Sequence, residues 1–342
     1  MKQFVSVSVL AAGILALSTV GGSAAADAVS NFYKGKTVRF VLGGGTGGGY
    51  DAYMRLLVRY MEDKIPGGPT AVVVNMPGGG GIKSMNYVYN VAPKDGSYVI
   101  MPFFNHGVFQ LIRPKGIKFD VRRMRWIGNM AELNSVLAVY HKVPVKSIAD
   151  WKAAGLILAS SGKGSETYIY PSLVASMIGA KLKLVLGYRG TANMTLAMES
   201  GEVQGRGGSY MSWSSLRPDW IRDKKVRFLA QAGLRKHPDM PDVPMVQAFA
   251  KTAEDKAVVD LMSAPFLTSR AIGFPPGVPE DRLRAFRAAF DATMKDPAML
   301  ASAKKRRMSI SPRSGKAVEA AIAEMFKAPQ SVIKRARFML KY

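Results

Sequence analysis

The sequence predicts an α/β protein of two domains, each a mainly parallel sheet flanked by helices, and three observations predict it. A strand, a glycine-rich loop and a helix follow one another twice between Val38 and Tyr89, the pattern of βαβ units. The same alternation resumes after Val136, beyond a locally basic stretch that begins at Arg122. At 342 residues the chain is long enough for two domains.

The chain opens with Lys2, an uncharged apolar segment from Phe4 to about Val20, and the small residues Ala24, Ala25 and Ala26 before Asp27. That order predicts a secretory signal peptide over residues 1–26, cut between Ala26 and Asp27, and an exported, periplasmic mature chain. Cysteine is absent, so disulfides and thiolate metal sites are excluded and an exported protein of this size relies on its apolar core. The formal charge is +24. For an exported chain such a charge points to anionic solutes or envelope surfaces rather than to nucleic acid.

Val38 to Leu42 reads as a buried strand. It runs into Gly43-Gly44-Gly45-Thr46-Gly47-Gly48-Gly49, six glycines within seven residues, and then into a helix from Asp51 to about Asp63. The apolar positions Tyr53, Leu56, Leu57, Tyr60 and Met61 share one face of that helix. Asp51 suits its cap or first turn. Ala71 to Val74 is the next strand, followed by Asn75-Met76-Pro77-Gly78-Gly79-Gly80-Gly81 and a helix that turns Ile82, Met85 and Tyr89 inward. Asp95-Gly96 leads into the strand Tyr98 to Phe103.

The first domain crossing is expected at 126, giving domains over 27–125 with 251–342 and over 126–250. In the second domain, strands are predicted at Val136 to Tyr140, Leu156 to Ala159, Leu182 to Tyr188 and Val226 to Ala230. Ser160-Ser161-Gly162-Lys163-Gly164-Ser165 is a third loop, with a helix near Pro171 to Ile178 after it. Thr191 to Ser200 is a further helix, and the prolines Pro238, Pro241 and Pro244 make a stiff return. Phe266 to Phe274 reads as a strand, and helices follow from Pro279 to the end.

The glycine loops point to an anion site built of backbone, because a loop without side chains can aim N–H groups at a ligand while the helix dipole favours negative charge. Gly43-x-Gly45-x-x-Gly48 satisfies the dinucleotide spacing, but Asn75 stands where that site needs an acid for the ribose. None of the loops carries a phosphate-binding Gly-Lys-Ser/Thr. The histidines His106, His141 and His237 are far apart and form no zinc motif. No cofactor or metal is expected. Ser160-x-x-Lys163 matches a Ser/Lys acylase pair without its partner motifs, which leaves an exported hydrolase as the alternative.

The ordered motifs resemble the periplasmic solute receptors of tripartite tricarboxylate transporters, the Bug receptors, over nearly the whole mature chain. They are the strand and loop from Val38 to Asp51, Asn75 to Gly81, Asp95-Gly96-Ser97-Tyr98, and Ser161-Gly162-Lys163-Gly164-Ser165. Tyr188-Arg189-Gly190-Thr191-Ala192, Gly201-Glu202-Val203, Met240-Pro241-Asp242-Val243-Pro244 and Pro276-Gly277-Val278-Pro279 complete the set. The resemblance implies a clam-like fold with an organic carboxylate between the lobes, no catalysis, action as a monomer, and a membrane permease of large and small subunits as partner. A carboxylate sensor for a signalling partner fits the same motifs. By resemblance the ligand would meet Gly47, Gly48, Gly49, Tyr50 and Asp51, Gly78, Gly79 and Gly80, and, from the second domain, Ser161, Gly164, Ser165 and Tyr188. Arg206, with Arg189 as an alternative, is added as a charged contact because it stands beside matched motifs. Tyr168 replaces a common histidine, Gln204 a common aspartate, and Pro171 is expected to delay or kink its helix.

Overall fold

The computed structural model describes residues 20–342. The apolar segment of the expected signal peptide lies mostly outside the described residues, and the expected cut falls within a helix, Val20–Tyr33. Among the described residues no helix is long and apolar enough to cross a membrane.

Among the described residues eleven strands form two sheets. In chain order they are β1 Thr37–Leu42, β2 Thr70–Asn75, β3 Tyr98–Met101, β4 Arg125–Asn129, β5 Ser135–Tyr140 and β6 Leu156–Ser160. They continue with β7 Leu182–Leu186, β8 Gly205–Ser209, β9 Val226–Ala232, β10 Ala271–Phe274 and β11 Arg313–Ser314. The first lobe holds the six-stranded sheet, in the order β11-β4-β10-β3-β1-β2, and the second holds the five-stranded sheet, β7-β6-β8-β5-β9. Helices flank both.

Each sheet is mixed, which corrects the expectation of mainly parallel sheets. β1 pairs in parallel with β2 and β3, and β6 with β7 and β8, through the predicted βαβ crossovers. The other halves are antiparallel, because β10 enters the first sheet from the returning chain and β5 is flanked by β8 and β9. Helix crossovers enforce parallel pairing, whereas strands arriving from the other lobe are free of that constraint. The crossing also moves: β4 pairs with β10 and β11, so the chain leaves the first lobe between Asn129 and Ser135 rather than at 126. Basic composition after Arg122 marks an exposed turn, while backbone pairing decides which sheet a strand joins.

The cores follow from the pattern of apolar residues. The Gly49–Met61 helix buries Tyr53, Met54, Leu56, Leu57 and Met61 against the first sheet. In the second lobe Trp213 and Trp220 join Met194, Met198 and Ala138 in a separate cluster. The expected strand from Phe266 is instead a 3-10 turn, Ala264–Thr268, with Pro265 in its first turn, and pairing starts only at Ala271. The Glu166–Ile178 helix begins five residues before Pro171, which it contains, so that proline does not delay it.

A candidate anion cavity between the lobes

Asp51 organises the first glycine loop. Gly48 is the cap residue of the Gly49–Met61 helix, which puts Asp51 in the first turn. Its carboxylate accepts from Gly47 N at 3.1 Å, Arg55 Nε at 3.0 Å and Asn75 Nδ2 at 3.0 Å. Asn75 Nδ2 also donates to Gly44 O at 3.0 Å. Loop, helix and the end of β2 are thereby tied at one point. Burial pushes the Asp51 carboxyl up, but the bonds from Arg55, Asn75 and Gly47 outweigh it and hold the group below its ordinary range.

The second loop is fixed from below. Gly80 O sits 3.0 Å from Nε2 of the buried His106, so Nε2 carries the hydrogen and Nδ1 is bare. Burial lowers His106 to about 4, against a smaller upward pull from the Gly80 bond. In the third loop the Thr167 hydroxyl is the hub, bonded to Ser165 Oγ at 2.5 Å, Ser160 Oγ at 3.0 Å and Ser161 N at 3.2 Å.

These loops meet across the lobes. Gly45 N donates to Arg189 O at 2.7 Å. A Cβ on Gly80 would stand 2.9 Å from Gly164 N, and one on Gly48 would stand 3.0 Å from Thr191 Oγ1. Between them lies a partly open cavity of about 40 Å³. The first lobe lines it with Gly44, Gly45, Gly48, Gly49, Tyr50 and Phe103. The second contributes Ser161, Ser165, Glu166, Thr167, Gly190, Thr191 and Met194.

Three helices start at this cavity: Gly49–Met61, Glu166–Ile178 and Thr191–Glu199. Their cap residues, Gly48, Ser165 and Gly190, accept no side-chain capping bond from the helices that follow them. First-turn N–H groups have no partner inside a helix, and the three dipoles present their positive ends together. Two side-chain oxygens among the lining residues, Glu166 Oε2 and Thr191 Oγ1, are closed off from solvent without a hydrogen-bond partner among the described residues. Burial raises the Glu166 carboxyl above its ordinary range, and the nearby Arg270, Ser135 and Arg206 pull it back only in part.

The expected contact residues divide. Gly48, Gly49, Tyr50, Ser161 and Ser165 line the cavity. Gly47 and Asp51 stand behind it as loop supports, Gly78 and Gly79 are exposed, and Gly80 and Gly164 pack on each other across the lobes. The Tyr188 hydroxyl donates to Glu202, away from the cavity lining. Arg206 is buried in β8, its guanidinium 3.8 Å from the Trp213 ring centre and bonded to Thr195, Gly207 and Ser212. Burial brings it down to about 9, still cationic at neutral pH. Arg189 is exposed and meets the first lobe through its carbonyl.

Phe103, Glu166, Thr167 and Met194 are lining residues outside every motif, and Gly190 and Thr191, inside one, were not among the expected contacts. An acid in a helix first turn reads from sequence as a partner of the dipole, which concealed Glu166. Ser160 and Lys163 do not form a pair. The Ser160 hydroxyl is taken up by Thr167 and Gly162, and the Lys163 ammonium lies over the rings of Tyr168 and Tyr342. A larger open groove of about 940 Å³ runs between Tyr210–Asp239 and Leu300–Ser311, but no glycine loop lines it.

Residues 55–338 match the model of the tripartite tricarboxylate transporter family receptor. A protein of the tcbD-tcbE intergenic region of Pseudomonas sp. (strain P51) is 29% identical over 206 residues, 58% of this chain and 59% of that relative's length. The fold is similar to the periplasmic binding protein BugD, with a TM-score of 0.72 and 18% identity over 89% of this chain and 98% of that one. It is similar too to MatC from Rhodopseudomonas palustris with bound malate, at TM-score 0.70 and 19% identity over 89% and 99%. R. palustris Rpa4515 with adipate gives TM-score 0.67 and 20% identity over 87% and 97%. The chain therefore belongs to the tripartite tricarboxylate transporter receptor family.

Proposed function

We propose that this chain is a periplasmic receptor that closes its lobes around a small organic carboxylate and delivers it to a membrane permease of large and small subunits. The observation that carries the reading is the convergence of three helix N-termini on one cavity between the lobes. A carboxylate there accepts from backbone N–H groups, which hold the anionic end without a counter-charged side chain. Membership of the receptor family supports the transport role, and the similar structures holding malate and adipate are in keeping with a carboxylate ligand.

Each lobe supplies only part of the cradle. The ligand is bound fully when the lobes are shut, so its differential affinity for the shut form shifts the population toward it. The positive charge of the chain speeds capture of anions, and residues 1–26 act as the leader that exports a single mature chain. Calorimetric titration of that mature protein with mono-, di-, tri- and aromatic carboxylates tests the reading. Saturable binding of at least one is expected, and a flat response to the whole set would overturn it.

A further inference from the structure

We propose that the open groove between the lobes docks a segment of another protein that is acidic and carries apolar side chains. Both lobes form this groove of about 940 Å³, Tyr210–Asp239 from the second and Leu300–Ser311 from the first. Its apolar lining includes the buried Leu133, Met211 and Met308, the half-buried Ile310, and Leu300, which is exposed. Arg222, Arg235 and Lys236 line it from the second lobe, and Lys304 and Arg307 from the first. Glu132 and Asp239 are the acids of the lining, and each already has a partner. Glu132 lies 3.3 Å from Arg313 and 3.7 Å from Arg235, and Asp239 accepts from the Tyr210 hydroxyl at 3.2 Å. Lys236, Lys304 and Arg307 make no ion pair among the described residues, so both walls keep positive charge without a counter-charge.

Arg307 sets the groove apart from an ordinary solvated face. Lys304 stands in the last turn of the Pro297–Lys305 helix, where the dipole alone favours a cation. Arg307 lies past that helix at φ +54°, a left-handed conformation that glycine adopts without the steric cost an arginine bears. Its carbonyl accepts from Ser215 Oγ of the second lobe at 3.0 Å, which puts the residue where the two walls meet. A strained arginine at that junction supplies a charge that the easier residue would not. A second copy of this chain would bring the same positive charge and be repelled, and a plain polyanion would leave the apolar lining unused. An acidic segment with apolar side chains satisfies both. No glycine loop lines the groove, so what the cavity binds has no bearing on this docking.

Fluorescence anisotropy of short labelled peptides tests this on the mature chain, with thermal melting as the check on folding. Three probes are compared, alternating glutamate with leucine, glutamate with serine, and lysine with leucine. The glutamate–leucine probe is expected to bind the wild type about tenfold more tightly than either of the others. Lys304→Gln with Arg307→Gln should weaken that probe about tenfold. Lys115→Gln with Lys118→Gln removes the same charge from an exposed segment outside the groove and should change it less than about twofold. Arg307→Gly separates docking from folding, since it relieves the backbone and should not lower the melting temperature, yet should weaken the probe. Equal losses in the two lysine-containing pairs would show only a general attraction to a basic chain, and equal binding of the glutamate–serine probe would show only a polyanion site. Either result, or no binding of the glutamate–leucine probe, or no loss in the Lys304 and Arg307 variants, overturns the docking and leaves the carboxylate receptor untouched. Should the Lys304 and Arg307 pair fail to fold, Arg307→Gly decides.

Discussion

His106 shows what one buried side chain does to the second glycine loop. It is enclosed between Phe103 and Phe119, gives its Nε2 hydrogen to Gly80 O, and keeps Nδ1 without a partner. Protonation would place a charge on Nδ1 where nothing receives it, which is why burial lowers the group to about 4 from an unfolded value near 6.5. Between those values the unfolded chain binds the extra proton and the folded chain does not, so stability rises with pH through the window. The contribution is complete above about 6.5 and falls away as pH drops toward 4, by up to about 3 kcal/mol. Urea unfolding at pH 7.5, 6 and 5 should show this slope, and His106→Gln should flatten most of it. His237, also lowered by burial, accounts for a smaller remainder that the variant leaves in place. An equal slope in both proteins would show that His106 does not carry the effect.

The glycine loops act as elements whose lack of side chains lets the lobes touch. Gly80 has φ +68° and faces Gly164, whereas Gly179, with the same φ of +68° at a helix C-terminus, has open space where a Cβ would go. Gly80→Ala and Gly179→Ala should therefore pay a similar backbone cost of about 1 kcal/mol. Only Gly80→Ala adds a methyl between the lobes. Ligand affinity is expected to fall at least tenfold in Gly80→Ala and to stay within twofold in Gly179→Ala, and equal affinities in the two variants would refute closure at this contact. The strands that open these loops were legible because β1 and β2 are rich in Val and other apolar residues before a glycine run. β8 was not, since Gly-Arg-Gly-Gly-Ser carries no strand signal. Its glycines answer tertiary demands: a Cβ on Gly205 would stand 2.2 Å from Ala138 O, and one on Gly207 would stand 3.1 Å from Thr167 Cα in the crossing helix. The site was legible to the same degree. The loops could be read from their glycines, but Glu166 and Thr191 gain their meaning only when three helix starts are brought to one point.

At the scale of the whole molecule the loops of the two lobes touch, and the partly open cavity of about 40 Å³ between them is too tight for an organic carboxylate unless they part. Gly47 in the first lobe and Ala192 in the second allow this to be tested directly. Both are exposed, and a Cβ on Gly47 would stand 3.7 Å from that of Ala192, inside the range of about 3.5–4.5 Å that a disulfide needs. The chain has no cysteine of its own, so a Gly47→Cys, Ala192→Cys pair can bridge only with itself. The φ of +73° at Gly47 adds roughly 1 kcal/mol of strain, small beside the stability of a two-lobed chain of this size. Oxidation should produce an intramolecular bridge, faster when a bound carboxylate holds the lobes together. Ligand present during oxidation should then be trapped, its release slowed at least a hundredfold, while the empty bridged protein should fail to take up ligand until it is reduced. If the bridged protein exchanges ligand as fast as the reduced one, entry does not depend on the lobes parting and the closure mechanism is wrong.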